Sequence, residues 1–452
     1  MEIVLVGCGK VGTALVRRLS EEGHNITVID SNESRIQEIV EKYDVLGVVG
    51  NGSSISALSE ANLETADVLI AVTGSDELNL LCCMFAKKAG HCHAIARVRS
   101  PHYVNEIDFI KQQLDISTVI NPELATAREI TSLLRFPGAQ NIETFAGGRV
   151  QLIKFELEED KVLCNIPLRD LPAHLNCDIL ICAVERGGDV IIPRGDFTFR
   201  KGDIVSVVAT PEKAMDFFSK LGLPTRQVRN TMIIGGGTIG YYLAKKLSEL
   251  GIAVKVFERS PERAAWLAEN LDKAMIIRGD GTDRKLLLAE GLAQTESFVS
   301  LTNVDEENIL LGMFAKKHSK GKVATKLNRL EFDDIMDGLN MDSVVYPKYI
   351  TADYILQYVR ALQNAAGSNI KTLYRILDNR VEALEFAVQE ASPLTDVPLY
   401  KLRLKSNVLV CCITRGDQVI IPRGGDTIQV GDSVIIVTLE KGLRDIRDIL
   451  VR

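Results

Sequence analysis

The sequence lacks the features of a membrane-spanning or disulfide-stabilised protein. None of its apolar runs approaches the roughly 18 residues that a bilayer-spanning helix needs, and the first run, Met1–Gly7, has no basic flank like that of a signal peptide. The nine cysteines are scattered, and none forms a CxxC pair. That usage favours small buried thiols in a reducing compartment over disulfides or a metal site. We therefore expect a soluble cytoplasmic protein without a bound metal.

An excess of basic residues is also missing. The chain has 53 lysines and arginines against 60 aspartates and glutamates, a net charge of −7. Proteins that mainly bind nucleic acid usually carry a basic excess, so that function is not expected. The composition is otherwise that of a globular protein, with 46% hydrophobic and 25% charged residues. A length of 452 residues predicts several domains rather than one core.

The sequence repeats itself once, at an offset of 228 or 229 residues. Three motifs return in the same order, namely Gly7–Gly12 as Gly235–Gly240, Phe85–Lys88 as Phe314–Lys317, and Ile192–Gly195 as Ile421–Gly424. A constant offset over the whole length indicates a duplication. The two copies meet near Leu223–Arg226, a polar stretch that contains proline.

Each copy consists of two parts with different patterns. In the first part, short β-branched runs alternate with helical patterns, which predicts a parallel sheet covered by helices. In the second part, short runs such as Asp178–Val184 and Val190–Pro193 are separated by glycine-rich turns, which is typical of antiparallel hairpins. The predicted fold is α/β, with two Rossmann-like doubly wound sheets, each followed by a small α+β domain. The predicted domains are 1–136, 137–224, 229–366 and 367–452.

Two proline-initiated segments, Pro122–Leu134 and Pro347–Leu362, connect the two parts of each copy. Proline is tolerated at the start of a helix because its missing N–H would be unpaired there. Both segments carry apolar residues at helical spacing, so we expect helices. Each helix could pack on its own sheet, or the two could be exchanged so that they join the modules.

The glycine motif Gly7-x-Gly9-x-x-Gly12 follows a predicted strand and begins a predicted helix, Thr13–Glu21. In that context the first glycine permits a tight turn, the second a close approach of pyrophosphate, and the third close packing of helix on strand. The helix N-terminus also presents unpaired N–H groups to a phosphate. The motif therefore predicts a dinucleotide or nucleotide site, and its second copy predicts another.

A carboxylate lies eighteen positions after each motif, Asp30 in the first copy and Glu258 in the second. At the end of the second strand, it is placed to accept hydrogen bonds from the ribose hydroxyls of adenosine. It would repel a 2′-phosphate, which favours NAD(H) over NADP(H). Arg259 directly follows Glu258 and weakens that argument for the second copy.

Further candidates lie where other strands end, the edge at which open α/β sheets bind ligands. Thr73 and Gly74 are predicted to line the ligand, whereas helix capping is the simpler role for Ser75, Asp76 and Glu77. Arg97 and Arg99 fall on one face of a strand end. They could clamp a phosphate or form an ordinary surface pair, and the second copy has Lys326 in place of Arg97.

These motifs resemble those of the TrkA family, the peripheral regulatory subunits of bacterial and archaeal Trk potassium uptake systems, whose modules are called RCK or KTN domains. The matching motifs include GCGKVG, GGGTIG, TGSDELN, TNVDEEN, IARVRSP and IIPRG, and they span essentially the whole chain. The resemblance implies a regulator that binds NAD(H), or ATP and ADP, at the inner face of the membrane. It also implies assembly into a dimeric or tetrameric ring on a TrkH/TrkG-like potassium-translocating subunit.

The resemblance and the spacing together predict two sets of cofactor-binding residues. The first set is Gly7, Cys8, Gly9, Lys10, Val11, Gly12, Asp30, Asn51, Gly52, Thr73, Gly74 and Arg97. The second set is Gly235, Gly236, Gly237, Thr238, Ile239, Gly240, Glu258, Asp280 and Thr302. Gly236 and Lys326 depart from Cys8 and Arg97, so the ligand preference of the second site stays open.

The main alternative is an NAD-dependent dehydrogenase acting on a small molecule. Such an enzyme needs a proton donor or acceptor that faces the nicotinamide. Among the six histidines, His102 alone lies near a ligand-facing strand end, and the second copy has no counterpart. The small repeated domains are also unlike a typical substrate domain. We therefore expect a regulator without catalytic residues.

Overall fold

The structure is a computed structural model. It describes residues 1–89, 92–104, 106–145, 149–157, 163–164, 166–328, 341–365, 370–376, 380–440, 443 and 445–451. Among the helices of these residues, none is both long enough and apolar enough to cross a membrane. All nine cysteines are free, and seven of them are buried, as their apolar surroundings predict.

The first region alternates strands with helices. Its strands are β1 (Glu2–Val6), β2 (Asn25–Asp30), β3 (Leu46–Val49), β4 (Val68–Ala71), β5 (His93–Arg97) and β6 (Thr118–Ile120). Its helices are Lys10–Glu21, Glu33–Lys42, Ile55–Glu60, Asp76–Ala89, Pro101–Val104, Ile107–Gln113 and Pro122–Arg135, with a 3₁₀ turn at Leu63–Thr65. All strands pair in parallel in the order β3-β2-β1-β4-β5-β6. This is the order of a doubly wound dinucleotide-binding sheet, so the predicted fold is confirmed.

A short antiparallel domain follows. Its strands are β7 (Asn141–Phe145), β8 (Val150–Glu156), β9 (Leu180–Arg186), β10 (Asp189–Ile191) and β11 (Ile204–Ala209), in the order β10-β9-β11-β8-β7. Its helices are Leu171–Leu175 and Pro211–Lys220, with a 3₁₀ turn at Leu168–Asp170. The predicted hairpin is present, because Gly187 (φ +58°) and Gly188 (φ +89°) form the two-residue turn between β9 and β10.

The second copy repeats both regions. Its parallel strands are β12 (Asn230–Ile234), β13 (Ala253–Glu258), β14 (Ala274–Arg278), β15 (Ser297–Ser300), β16 (Lys322–Lys326) and β17 (Ser343–Val345), in the order β14-β13-β12-β15-β16-β17. Its helices are Thr238–Glu249, Pro261–Asn270, Arg284–Ala289, Asp305–His318 and Pro347–Ala365, with a 3₁₀ turn at Leu292–Gln294.

The antiparallel strands of the second copy are β18 (Ile370–Ile376), β19 (Val381–Ala387), β20 (Val408–Arg415), β21 (Gln418–Ile420) and β22 (Ser433–Thr438). Their order is β18-β19-β22-β20-β21, the same connectivity as in the first copy. The 3₁₀ turns Leu399–Lys401 and Ile446–Ile449 complete this region.

The repeated Lys-Gly-Asp and Val-Gly-Asp turns have a structural role. Asp203 is almost fully buried and accepts two hydrogen bonds of 2.7 Å from the Arg186 guanidinium. Asp432 binds Arg415 in the same way, at 2.8 and 2.9 Å. A buried carboxylate needs such a bidentate partner, so each aspartate holds its hairpin against the neighbouring strand.

The four regions group into two compact units. One unit contains both parallel sheets, Met1–Thr131 and Val228–Val359, and the other contains both antiparallel sheets, Ser132–Gln227 and Arg360–Arg452. Within the second unit, a shared hydrophobic cluster combines Phe145 and Leu152 of the first copy with Ile435 of the second. The duplication therefore produces two pairs of like regions, each with contacts between the copies.

The second crossover helix, Pro347–Ala365, packs against the first parallel-sheet module. Its Asp353 carboxylate forms an ion pair with the buried Arg18 guanidinium. Tyr349 lies under the same guanidinium, 5.2 Å from ring centroid to Arg18 Cζ, and Tyr358 meets the edge of His93 at 6.5 Å. These contacts favour the exchanged-helix alternative for this segment, because residues of the second copy contact side chains of the first copy.

Candidate nucleotide-binding sites

The first glycine loop has the steric requirements of a phosphate-binding turn. Gly7 has a φ of +104°, and a Cβ there would lie 2.9 Å from the backbone nitrogen of Thr73. A Cβ on Gly12 would lie 1.9 Å from the carbonyl oxygen of Gly7. In contrast, a Cβ on Gly9 would meet nothing within 4 Å, so the loop is open on that side. An open backbone at the start of a helix is what a pyrophosphate needs for close approach.

Asp30 is tied to this loop. Its Oδ2 accepts a hydrogen bond of 2.7 Å from the Cys8 backbone N–H, and its Oδ1 accepts one of 2.9 Å from Asn32. Each carboxylate oxygen can accept more than one hydrogen bond, so capacity for ribose hydroxyls remains. The guanidinium of Arg35 lies 3.9 Å away and is largely exposed. Arg35 was not anticipated from the sequence.

The predicted first-site residues meet at one cavity of about 630 Å³. Drug-sized and cofactor ligands occupy cavities of this order. All predicted residues of the first set line it except Cys8 and Gly12, whose roles are in the loop itself. Burial raises the pKa of the Cys8 thiol to about 12, with the Asp30 charge as the second cause, so the thiol stays protonated.

Arg97 and Arg99 belong to the cavity rather than to an ordinary surface pair. The Arg97 guanidinium donates to the carbonyl of Thr73, and that of Arg99 donates to the carbonyl of Gly74. Burial lowers the pKa of Arg97, and the charge of Arg99 lowers it further. The buried Nε of Arg97 has no hydrogen-bond partner among the described residues. A buried donor of this kind calls for an acceptor, and a phosphate fits a guanidinium.

Glu123 is a cavity residue that the sequence did not single out. It lies at the start of the first crossover helix, Pro122–Arg135, and burial raises the pKa of its carboxyl group. Its Oε2 is buried without a hydrogen-bond partner in the described part of the chain. The carboxyl group is therefore a second unsatisfied group at the same cavity as Arg97.

The second module also lines the first cavity. Asn328, Lys348 and Thr351 contribute to its wall, the last two from the start of the second crossover helix. Basic lining residues outnumber acidic ones. The basic ones are Lys10, Arg35, Arg97, Arg99 and Lys348. A concave surface with a positive excess attracts anionic ligands, and phosphates in particular.

Asn79 and Asp76 hold the strand ends that carry the predicted residues. The Asn79 side chain accepts from the Thr73 N–H at 2.8 Å and donates to the Arg97 carbonyl at 2.8 Å. Asp76 accepts from the N–H groups of Arg99 and Ser100, at 2.9 and 2.8 Å. Asp76 thus joins the start of its helix to the loop after β5, and the capping prediction is corrected for this residue alone.

The cap of that helix comes from Ser75, whose hydroxyl accepts from the N–H of Leu78 at 3.2 Å. The role of Asn79 could have been anticipated, because the repeat preserves it. In the second copy, Asn308 accepts from Thr302 at 2.8 Å and donates to Lys326 at 3.0 Å.

The second glycine loop has the same backbone as the first. Gly235 has a φ of +107°, a Cβ on Gly240 would lie 2.2 Å from the Gly235 carbonyl oxygen, and a Cβ on Gly237 would meet nothing within 4 Å. Thr238 and Ile239 begin the following helix. Both loops therefore offer the same opening.

The change from Cys8 to Gly236 accompanies the change from aspartate to glutamate. Glu258 accepts from the Gly236 N–H at 3.0 Å and from Ser260 at 2.8 Å. A Cβ on Gly236 would lie 2.3 Å from Leu267 Cδ1 and 3.0 Å from Glu258 Oε2. The longer carboxylate and Leu267 occupy the space that Cys8 has in the first loop, so only glycine fits.

The cationic groups of the second site differ from those of the first. The Arg263 guanidinium donates to the Gly236 carbonyl at 2.8 Å and lies 4.2 Å from the centroid of Trp266. Lys326, in the position of Arg97, is buried, and burial lowers its pKa. Asp280 is turned toward its own loop, where it accepts from the N–H and hydroxyl of Thr282. The two sites thus share a scaffold and differ in their charged groups.

Fold and site together define a tandem pair of Rossmann-type nucleotide-binding modules, with the first cavity shared between the modules. The TrkA-N domain family matches residues 3–122 and 231–347, and the TrkA-C domain family matches residues 152–222 and 383–451. The chain belongs to the TrkA family.

Relatives extend over the full length. The chain is 32% identical to Trk system potassium uptake protein TrkA homolog 1 of Methanosarcina mazei over 454 residues, covering 99% of each chain. It is 32% identical to Trk system potassium uptake protein TrkA of Halomonas elongata, covering 99% of this chain and 98% of that protein.

Solved structures support the same fold. The GsuK RCK domain superposes with a TM-score of 0.62 at 16% identity, covering 96% of this chain and 92% of that one. The GsuK channel bound to NAD gives a TM-score of 0.63 at 17% identity, covering 97% and 76%.

Proposed function

We propose that this chain is the nucleotide-sensing regulatory subunit of a potassium transport system, and that its first site binds NAD(H). We propose that the same site also accepts ATP and ADP. The chain would act in the cytoplasm at the inner face of the membrane, as a dimeric or tetrameric ring on a TrkH/TrkG-like translocating subunit. The family to which the chain belongs supports this role, since its relatives are named potassium uptake proteins.

The observation that carries the nucleotide assignment is the set of groups at the first cavity. The backbone at Gly9 is open, Asp30 has spare acceptor capacity, and the buried Nε of Arg97 has no partner among the described residues. A ribose fits the carboxylate, and a phosphate fits both the helix N-terminus and the guanidinium. GsuK, which has the same fold, is described in complexes with NAD and with ADP.

The shared cavity also supports regulation. Because Asn328 and Lys348 of the second module line it with Arg97 of the first, a bound ligand would contact both modules. A ligand shifts a conformational equilibrium only when it binds one arrangement better than the other. Contacts with two modules supply such a difference, and coupling of about 1–3 kcal/mol per site would bias a ring of several chains.

The test is a calorimetric titration of the full-length protein with NADH, NAD, ATP and ADP, with the molar mass followed by light scattering. We expect saturable binding of NADH to wild type. Arg97→Ala should weaken it about 10-fold or more, because it removes a charge-assisted hydrogen bond to phosphate. Glu258→Ala, the control in the second site, should leave the first-site affinity unchanged. If none of the four nucleotides shows saturable binding, the proposal is wrong.

A dehydrogenase is less favoured as an explanation of the same cavity. None of the described residues that line it is a histidine. We therefore expect no steady oxidation of NADH when 2-oxo acids are added to the purified protein. Continuous loss of the absorbance of the reduced nicotinamide would favour the enzyme instead.

A further inference from the structure

The hydroxyl group of Tyr242 reaches from the second module into the first. Tyr242 lies on Thr238–Glu249, the helix that begins at the second glycine loop, and its side chain is buried. Its oxygen is 3.0 Å from the carbonyl oxygen of Arg99 and 3.1 Å from Nδ2 of Asn121. The hydroxyl donates to the carbonyl and accepts from the amide. Burial raises the pKa of the phenol to about 12, so it remains a donor at neutral pH.

One partner of this hydroxyl, Arg99, lines the first cavity, and the other, Asn121, directly precedes the lining residues Pro122 and Glu123. Asn121 caps the first crossover helix, since its Oδ1 accepts from the N–H of Leu124 at 2.8 Å. The first residues of that helix, Pro122 and Glu123, line the cavity as well. One hydroxyl therefore joins the backbone of Arg99, just after β5, to the helix that carries Glu123.

The first module has no equivalent hydroxyl group at the corresponding position. The residue of the first module that corresponds to Tyr242, 228 positions earlier, is Ala14, which has no hydroxyl group. On the other side, the preceding Tyr241 packs on Trp266 at 5.0 Å between ring centroids. Trp266 in turn lies under Arg263, which donates to the Gly236 carbonyl of the second loop. The helix thus has one face at the second site and the Tyr242 hydroxyl at the first.

We propose that Tyr242 is a positioning residue for the first nucleotide site and makes that site depend on the second module. It holds the backbone of Arg99 and the capped start of the crossover helix at the spacing that the ligand needs. The inference rests on the nucleotide binding proposed above. Without the hydroxyl, the Arg99 carbonyl retains a 3.4 Å contact with Asn121 Nδ2, so the walls are held less firmly.

The experiment is NADH calorimetry on full-length Tyr242→Phe, which removes the hydroxyl and keeps the ring. The variant loses both hydrogen bonds of the hydroxyl, but Asn121 Nδ2 keeps its contact with the Arg99 carbonyl. We therefore expect the affinity to fall about 5- to 10-fold, a net loss equivalent to about one hydrogen bond. Tyr241→Phe is the matched control, because its hydroxyl makes no hydrogen bond to the described residues and it lies on the same helix. Its NADH affinity should remain that of wild type.

A double-mutant cycle separates positioning from a general loss of stability. If Tyr242 acts through the Arg99 side chain, Tyr242→Phe should cost much less affinity in an Arg99→Ala background than in wild type. Equal losses in both backgrounds, or an unchanged affinity of Tyr242→Phe, would overturn the proposal. Failure of wild type to bind NADH would instead refute the proposed function, together with this inference.

Discussion

Replacement of Asp30 tests the first site most directly. Its side chain is only 9% exposed, and its two oxygens accept from the backbone N–H groups of Cys8 and Asn32. In the bound state it is expected to accept from the ribose hydroxyls as well. Asp30→Ala therefore removes both the ribose anchor and the attachment of the glycine loop, whereas Asp30→Asn keeps one acceptor oxygen.

The magnitude follows from the hydrogen bonds that each substitution removes. A hydrogen bond to a charged group contributes about 1.5–3 kcal/mol, and about 1.4 kcal/mol corresponds to a tenfold change in affinity. Loss of one ribose hydrogen bond in Asp30→Asn should then weaken NADH binding at least about 10-fold. Asp30→Ala, which also frees the Cys8 N–H, should weaken it further, by about another factor of ten.

The assay is calorimetric titration with NADH, accompanied by thermal unfolding to verify that each variant is folded. Glu258→Ala is the matched control, since it changes the corresponding carboxylate of the other loop. Its first-site affinity should stay within about twofold of wild type, because Glu258 is not among the residues that line the first cavity. Wild-type affinity in Asp30→Ala would refute the assignment of the first site, and equal losses in both variants would show that NADH does not distinguish the two loops.

Two further predictions concern the loop and the crossover helix. Gly9→Ala should fold with an unchanged unfolding midpoint, because a Cβ there meets nothing within 4 Å. It should nevertheless weaken NADH binding about 10-fold or more, because the methyl group obstructs the pyrophosphate. Normal binding would contradict the role of the open backbone. Burial raises the pKa of Glu129 from 4.5 to about 7, so the folded state is penalised as that carboxyl group ionises with rising pH. The stability gained by Glu129→Gln, measured by urea unfolding, should therefore grow by about 1 kcal/mol between about pH 6 and about pH 8.5, and a pH-independent difference would contradict the shift.

Much of the fold could be predicted from the sequence because its signals are local. The alternation of β-branched runs with helical patterns predicted the parallel strands to within a few residues. In the antiparallel region, the predicted run Val190–Pro193 corresponds to the strand Asp189–Ile191. The glycine spacing predicted the two loops, since only glycine adopts the φ of Gly7 and Gly235 without strain.

The less accurate predictions involved side chains with two possible roles. Capping and loop-bridging both suit an aspartate in the first turn of a helix, so the pattern around Asp76 did not distinguish them. The repeat did contain a usable signal at Asn79 and Asn308, which make the same pair of hydrogen bonds in both copies. Conservation of a polar residue between copies indicates a shared structural requirement more reliably than its residue type does.

The sequence by itself determined the duplication, the two doubly wound sheets, the glycine loops and the carboxylate that follows each, because motif spacing and periodicity act over short distances along the chain. Only the tertiary structure decided that the second crossover helix packs on the first module, and that Lys348 and Asn328 line the cavity of Arg97. Those contacts join residues more than 200 positions apart. They depend on how two folded modules pack together, and no local pattern records that packing.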